Sequence, residues 1–184
     1  MNKTAIGLIV LHILIGVTTG CRQPNQPATT AAPLPPVDLS TPESTVKSLL
    51  LTLQAQLDAG GRRDSAAVDA AIGQLAGRIA AADSILSRVS TRAVPAARRA
   101  EAVSQITRTW ARLVSHYAVT FGLDNTRRGA ERPDAVSIHV QARGETDTAW
   151  LRVDCVKVES EWQVSRIDFL RGEPTSRPAP ASQP

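Results

Sequence analysis

The sequence predicts an α+β domain: about three N-terminal helices, two of them an antiparallel hairpin, packed on a three-stranded antiparallel meander. Three observations predict it. From Thr41 to Gly122, apolar residues recur at steps of three and four, the period of a helix face. From residue 134 onward the period becomes two, as in half-buried strands. Pro-rich, aperiodic segments flank this region on both sides, which sets the expected domain at 41–171.

The first helix is expected to start with Thr41 as N-cap and Pro42 at the first helical position, where a missing N–H costs nothing. Val46, Leu49, Leu50, Leu53 and Leu57 make one apolar stripe, and Gly60 and Gly61 end it. A second helix is expected from Ser65 to Val89. Its positions Val68, Ile72, Leu75, Ile79, Ala82, Leu86 and Val89 alternate steps of four and three, a heptad seam. Gly73 and Gly77 inside it each cost up to ~1 kcal/mol relative to Ala. They read either as sites of close backbone approach or as weak spots in an Ala-rich helix.

The third helix is expected to open at Pro95 and close at Gly122, with Val103, Ile106, Trp110, Leu113 and Tyr117 as its seam. The short link "TRAVP" makes the second and third helices antiparallel neighbours. The same seams are long enough to serve a partner helix instead. His116 flanks this seam beside Leu113 and reads as a surface or seam-edge residue. The stretch "GLDNTRRGAERPDA" then reads as a polar loop.

Strands are expected over 134–142, 148–158 and 162–170, joined by "GET" and "ESE". If "ESE" is a three-residue loop, Val158 faces Trp162, Val156 faces Val164, Asp154 faces Arg166 and Arg152 faces Asp168. Val153 then meets Ile167 and Leu151 meets Phe169. Opposite charges and apolar pairs coincide in this register, which a one-residue slip would destroy. Pairing Val140 with Leu151 and Ile138 with Val153 adds His139 opposite Arg152. His139, Arg152, Asp154, Arg166 and Asp168 therefore crowd one sheet face, with Ser137 and Gln141 beside them. A His near two carboxylates can do acid–base work or bind an anion. The alternative is a solvated salt ladder on the face away from the helices. Cys155 shares the opposite, apolar face with Leu151 and Val153 and is expected to be a buried thiol acting as a small hydrophobe.

Composition narrows the function classes. The net charge is +4 and aromatics are only 3%, so the core must be Leu, Ile, Val and Ala. The Arg residues alternate with acids, a mixed surface and no nucleic-acid footprint. Arg62/Arg63, Arg98/Arg99 and Arg127/Arg128 lack interleaved aromatics. No metal-ligand spacing and no Gly-rich phosphate loop is present, so neither metal nor cofactor is expected.

The N-terminus carries the clearest signal. Lys3 precedes "AIGLIVLHILIGV", an apolar run of about 13 residues, the length of a signal-peptide core and short of the ~20 needed to span a bilayer. His12 lies inside it as an uncharged passenger. Small residues then lead to Cys21. "VTTGC" resembles the lipobox of bacterial lipoproteins, with Thr19 and Gly20 at the small positions. The resemblance implies that residues 1–20 are a removed signal, that Cys21 carries a diacylglyceryl thioether, and that the protein is exported and lipid-anchored at the cell or outer membrane. An ordinary secretory cut further on, within "PATTAA", is the rival. Residues 21–40 then form a flexible tether and 172–184 a flexible tail. Once Cys21 is acylated, Cys155 has no disulfide partner within the chain.

Helices followed by a meander ending "VESEWQVSRIDFL" resemble small bacterial lipoproteins of nuclear-transport-factor-2-like or cystatin-like architecture, with Trp162 after an acidic turn. That likeness implies a curved sheet on helices and either a binding module or an enzyme working in a pocket between them. The leading expectation is a non-catalytic envelope lipoprotein that binds an unknown protein or small ligand. A pocket enzyme and a dimerising helical hairpin are the alternatives.

Overall fold

The computed structural model describes residues 33–90, 92–170 and 172–174. The expected signal segment, Cys21 and the last ten residues lie outside them. The order of elements is four α-helices followed by a four-stranded antiparallel meander, β1-β2-β3-β4. The α+β class is as the patterning predicts; one helix and one strand are additional.

Helix α1, Pro42–Gly61, begins as its sequence dictates. The Thr41 hydroxyl accepts from the Ser44 N–H and the Ser44 hydroxyl accepts from the Thr41 N–H, each at 3.1 Å, a reciprocal capping box. Val46, Leu49, Leu50 and Leu53 are buried, but so are Thr45, Ser48 and Thr52 on the other sides of the helix. The helix is enclosed because it touches every strand of the sheet and also α2 and α4. Its buried hydroxyls are satisfied: Thr45 donates to the Trp162 carbonyl at 3.1 Å, and Thr52 accepts from the Gln74 amide at 3.0 Å.

Packing starts ahead of Thr41. Leu39 is buried, and its carbonyl accepts from the Trp162 N–H at 2.8 Å. The Asp38 N–H donates to Ser48 Oγ at 2.9 Å, and the Pro35 carbonyl accepts from Gln74 at 3.0 Å. The segment 35–40, assigned to the tether on its Pro content, is thus part of the domain.

The expected single helix over 65–89 is broken. Helix α2, Ser65–Gln74, runs into a π-helical turn, Leu75–Ile79, and the chain then extends before α3, Ala82–Val89. Ala80 bridges Val164 of the last strand, and the Ala81 N–H donates to the Val164 carbonyl at 2.8 Å. A strand edge with a free acceptor outcompetes helical continuation here. Gly73 and Gly77 face open space, so they are weak spots and not close-approach sites.

Helix α4, Ala96–Tyr117, returns antiparallel: Arg99 pairs with Asp83, and Arg108 with Asp69. The hairpin is therefore present, but its seam is shifted. Val103, Thr107, Ala111 and Val114 are buried, whereas Leu113 and Tyr117 are exposed and Ile106 and Trp110 half-buried. Small residues win the inner positions because α4 packs on α1 and α2 as well as on α3.

The helix stops at Tyr117, not Gly122, and the supposed polar loop is strand β1, Thr120–Arg132. It is an irregular edge strand with two register shifts and mostly exposed, charged residues, features that discourage pairing with other chains. β2 is Ala135–Arg143, β3 Thr148–Val158 and β4 Glu161–Leu170. Ile138–Val153, His139–Arg152, Val140–Leu151, Arg152–Asp168 and Asp154–Arg166 are all paired as expected. Near the turn the expected register is wrong: Val158 pairs with Glu161 and Cys155 with Val164. The hairpin uses a two-residue turn, Glu159–Ser160, with Glu159 left-handed at φ 57°. A bulge at Ser165 absorbs the extra residue and restores the register beyond it.

Candidate functional site

The polar face assembles as its sequence alternation requires. Successive side chains point to opposite faces, so Val136, Ile138, Val140, Leu151, Val153 and Cys155 turn into the core. Ser137, His139, Gln141, Arg152, Asp154, Arg166 and Asp168 take the other face.

The ion pairs run along the strands and not across them. Arg152 Nε meets Asp154 Oδ1 at 2.8 Å, and Arg166 Nε meets Asp168 Oδ2 at 2.7 Å. Asp154 is the hub. Its side chain is only 13% exposed, its Oδ1 accepts from Ser137 Oγ at 2.7 Å, and Arg152 Nη2 reaches its Oδ2 at 3.3 Å. The bulged Ser165 donates to the Asp154 carbonyl at 3.1 Å. Asp154 therefore carries a charge whose acceptor sites are largely used within the sheet.

His139 sits on the far side of Arg152, under β1. A Cβ on Gly129 would lie 2.8 Å from His139 Cε1, so glycine lets β1 pass close over the ring in its present position. Burial, then the Arg152 charge, push the imidazole below its ordinary pKa of 6.5, with Asp154 pulling the other way. His139 is neutral at pH 7 and shares its face with the other polar residues without joining the Arg152–Asp154–Ser137 network. Further along, Trp150 is buried on this face beneath the Arg127 guanidinium, 4.8 Å from the ring centroid.

The helices also reach this face, contrary to the expectation that they cover only the apolar one. The break at Ala80–Ala81 sends α3 past the β4 edge, where it contacts β4. A groove of about 600 Å³ opens there. One wall is apolar: Ile85 and Val89 of α3, Ile106 and Trp110 of α4. The other carries Arg152, Asp154, Ser165 and Arg166, and Arg88 of α3 also lines the groove. Val89, expected in the helical seam, is instead 64% exposed. Arg88 has no carboxylate partner among the described residues, so three guanidinium groups face one carboxylate in this groove.

No family model, no curated protein and no solved structure matches this chain. His139 and Asp168 do not line the groove. Arg88, Ile85, Val89, Ile106, Trp110 and Ser165 do, and the sequence patterning did not single them out as a site. The signal for Ile106, Trp110 and Val89 was present as apolar spacing, but it pointed equally to a helix–helix seam. Arg88 carried no signal of its own.

Cys155 is fully buried, and desolvation pushes its thiol up to about 12, so it is unreactive in the folded protein. His116 is exposed, edge-on to Tyr117. Among the described residues no three His, Cys, Asp or Glu side chains are grouped to hold a metal ion, and no helix is long and apolar enough to cross a membrane.

Proposed function

We propose that this protein is an exported envelope lipoprotein, held at a membrane by acyl chains on Cys21, whose domain binds a small ligand without transforming it. The groove between α3, α4 and the polar sheet face is the binding site. The observation that carries this reading is the pairing of an open apolar wall with a sheet wall whose carboxylate, Asp154, is held in an ion pair, while Arg88 stands unpaired among the described residues. Such a site offers shape and charge but no free base or nucleophile. The anchor rests on "GVTTGC": an apolar run of signal length, small residues, then a cysteine.

Two measurements test this. Mass spectrometry of the mature N-terminus is expected to find Cys21 acylated, and Cys21→Ser to release the protein from membranes or leave an uncleaved precursor; an unmodified chain starting beyond Cys21 refutes the anchor. Native mass spectrometry of protein drawn from its envelope is expected to show a small-molecule adduct that a groove-filling Val89→Trp variant lacks. An adduct retained by that variant moves the site elsewhere.

A further inference from the structure

The groove's two walls differ in kind, and that difference selects a ligand class. On the helical side Ile85, Val89, Ile106 and Trp110 supply hydrocarbon and one indole, and Arg88 of α3 supplies the one charge. On the sheet side the balance is cationic. Arg152 is bound twice to Asp154, and Asp154 is further held by Ser137. Arg166 uses Nε on Asp168, which leaves its two terminal amino groups without a carboxylate. Arg88 has all five donors unpaired among the described residues. A neutral ligand would leave these donors to water, and a cation would be repelled. An anionic head accepts from them in the fork geometry that guanidinium favours. Arg88 lines the groove from α3 beside Val89 of the apolar wall, so head and tail positions are contiguous. A groove of about 600 Å³ lies within the ~300–1,000 Å³ span of small-ligand sites.

We infer that the groove binds a single-chain anionic amphiphile, a carboxylate on a hydrocarbon tail, with the head at Arg88 and Arg166 and the tail against Val89, Ile106 and Trp110. This rests on the reading of the groove as a ligand site and adds the ligand's class.

Calorimetric titration of the full mature chain tests it, with decanoate below its micelle concentration, decyl maltoside and decyltrimethylammonium as same-tail probes. Decanoate is expected to bind with one-to-one stoichiometry, about tenfold or more tightly than either other probe. Arg88→Gln, a surface change, is expected to weaken decanoate about tenfold, and Ile106→Asp to weaken all binding. Equal binding of decyl maltoside overturns the anionic class while leaving the groove as the site. Decanoate binding unchanged in both variants overturns the groove itself. Binding to phosphatidylglycerol vesicles with none to monomeric decanoate overturns the single-chain ligand in favour of a membrane surface. No binding of any probe overturns the inference.

Discussion

Gly129→Ala probes how closely β1 crosses the polar face. The glycine does not have the positive φ that would itself forbid a side chain, so the substitution acts through space alone. The new methyl would sit 2.8 Å from His139 Cε1, 3.2 Å from Nε2 and 3.4 Å from Ser137 Cβ. The first contact cannot be kept, so the ring or the strand must shift, a crowding cost of about 1–3 kcal/mol. Against it stands the loss of unfolded-chain freedom, worth about 0.4–1 kcal/mol in the opposite direction. The net expectation is destabilisation of about 1 kcal/mol, a fall in melting temperature of about 4 °C for a domain of this size. In a His139→Ala background the clash is gone and only the entropic part remains, so the same change becomes stabilising by about 0.4–1 kcal/mol. Equilibrium urea denaturation of wild type, both single variants and the double variant gives the coupling directly. If Gly129→Ala costs the same in both backgrounds, within about 0.3–0.5 kcal/mol, β1 does not lie over His139.

Three further outcomes follow from local geometry. Thr41→Ala removes one half of the reciprocal cap on α1 and is expected to cost about 1 kcal/mol in chemical denaturation, whereas no loss would show that the cap is redundant with the Pro42 start. In a Cys21→Ser chain, where Cys155 is the remaining thiol, a disulfide reagent at pH 8 is expected to label nothing until denaturant is added; labelling at the rate of an exposed thiol would contradict its burial. The lowered pKa of His139 means that the folded chain binds fewer protons than the unfolded one, so its contribution to stability is present above pH 6.5 and lost as pH falls below it. A His139→Gln variant is expected to lose that slope, and an unchanged pH profile would show that the ring titrates freely.

Much of this architecture is legible from periodicity because its core is built on alternation. Period two fixed which faces of β2, β3 and β4 are buried, and charge complementarity fixed most of their register. Two features escaped it for physical reasons. Strand β1 is an exposed, bulged edge, so its second half has no apolar face to impose a period; its start, Phe121 and Leu123, does alternate, continuing from Val119 just before it, but lies directly behind a helix. The break at Ala80–Ala81 is invisible because alanine is the strongest helix former, and only a distant partner, Val164, makes the extended form preferable. The candidate site inherits both limits. The sheet half of the groove followed from the register of Arg152, Asp154 and Arg166, but the helical half depends on where α3 goes after that break. The face was thus identifiable and the groove was not.

The bonds to β4 also govern when this domain can become stable. Leu39, Thr45 and Ala81, all in the first half of the chain, each bond to Trp162 or Val164 near its end. Helix α1 meanwhile needs all four strands to enclose it. Contacts so distant in sequence carry a large closure entropy and make folding slow relative to a helical bundle of similar length. A nascent chain emerging N-terminus first has no stable stopping point before residue 164 has appeared. Partly synthesised copies are expected to stay open to proteases until that strand is made. The last strand acts as the closing step, committing helices and sheet together.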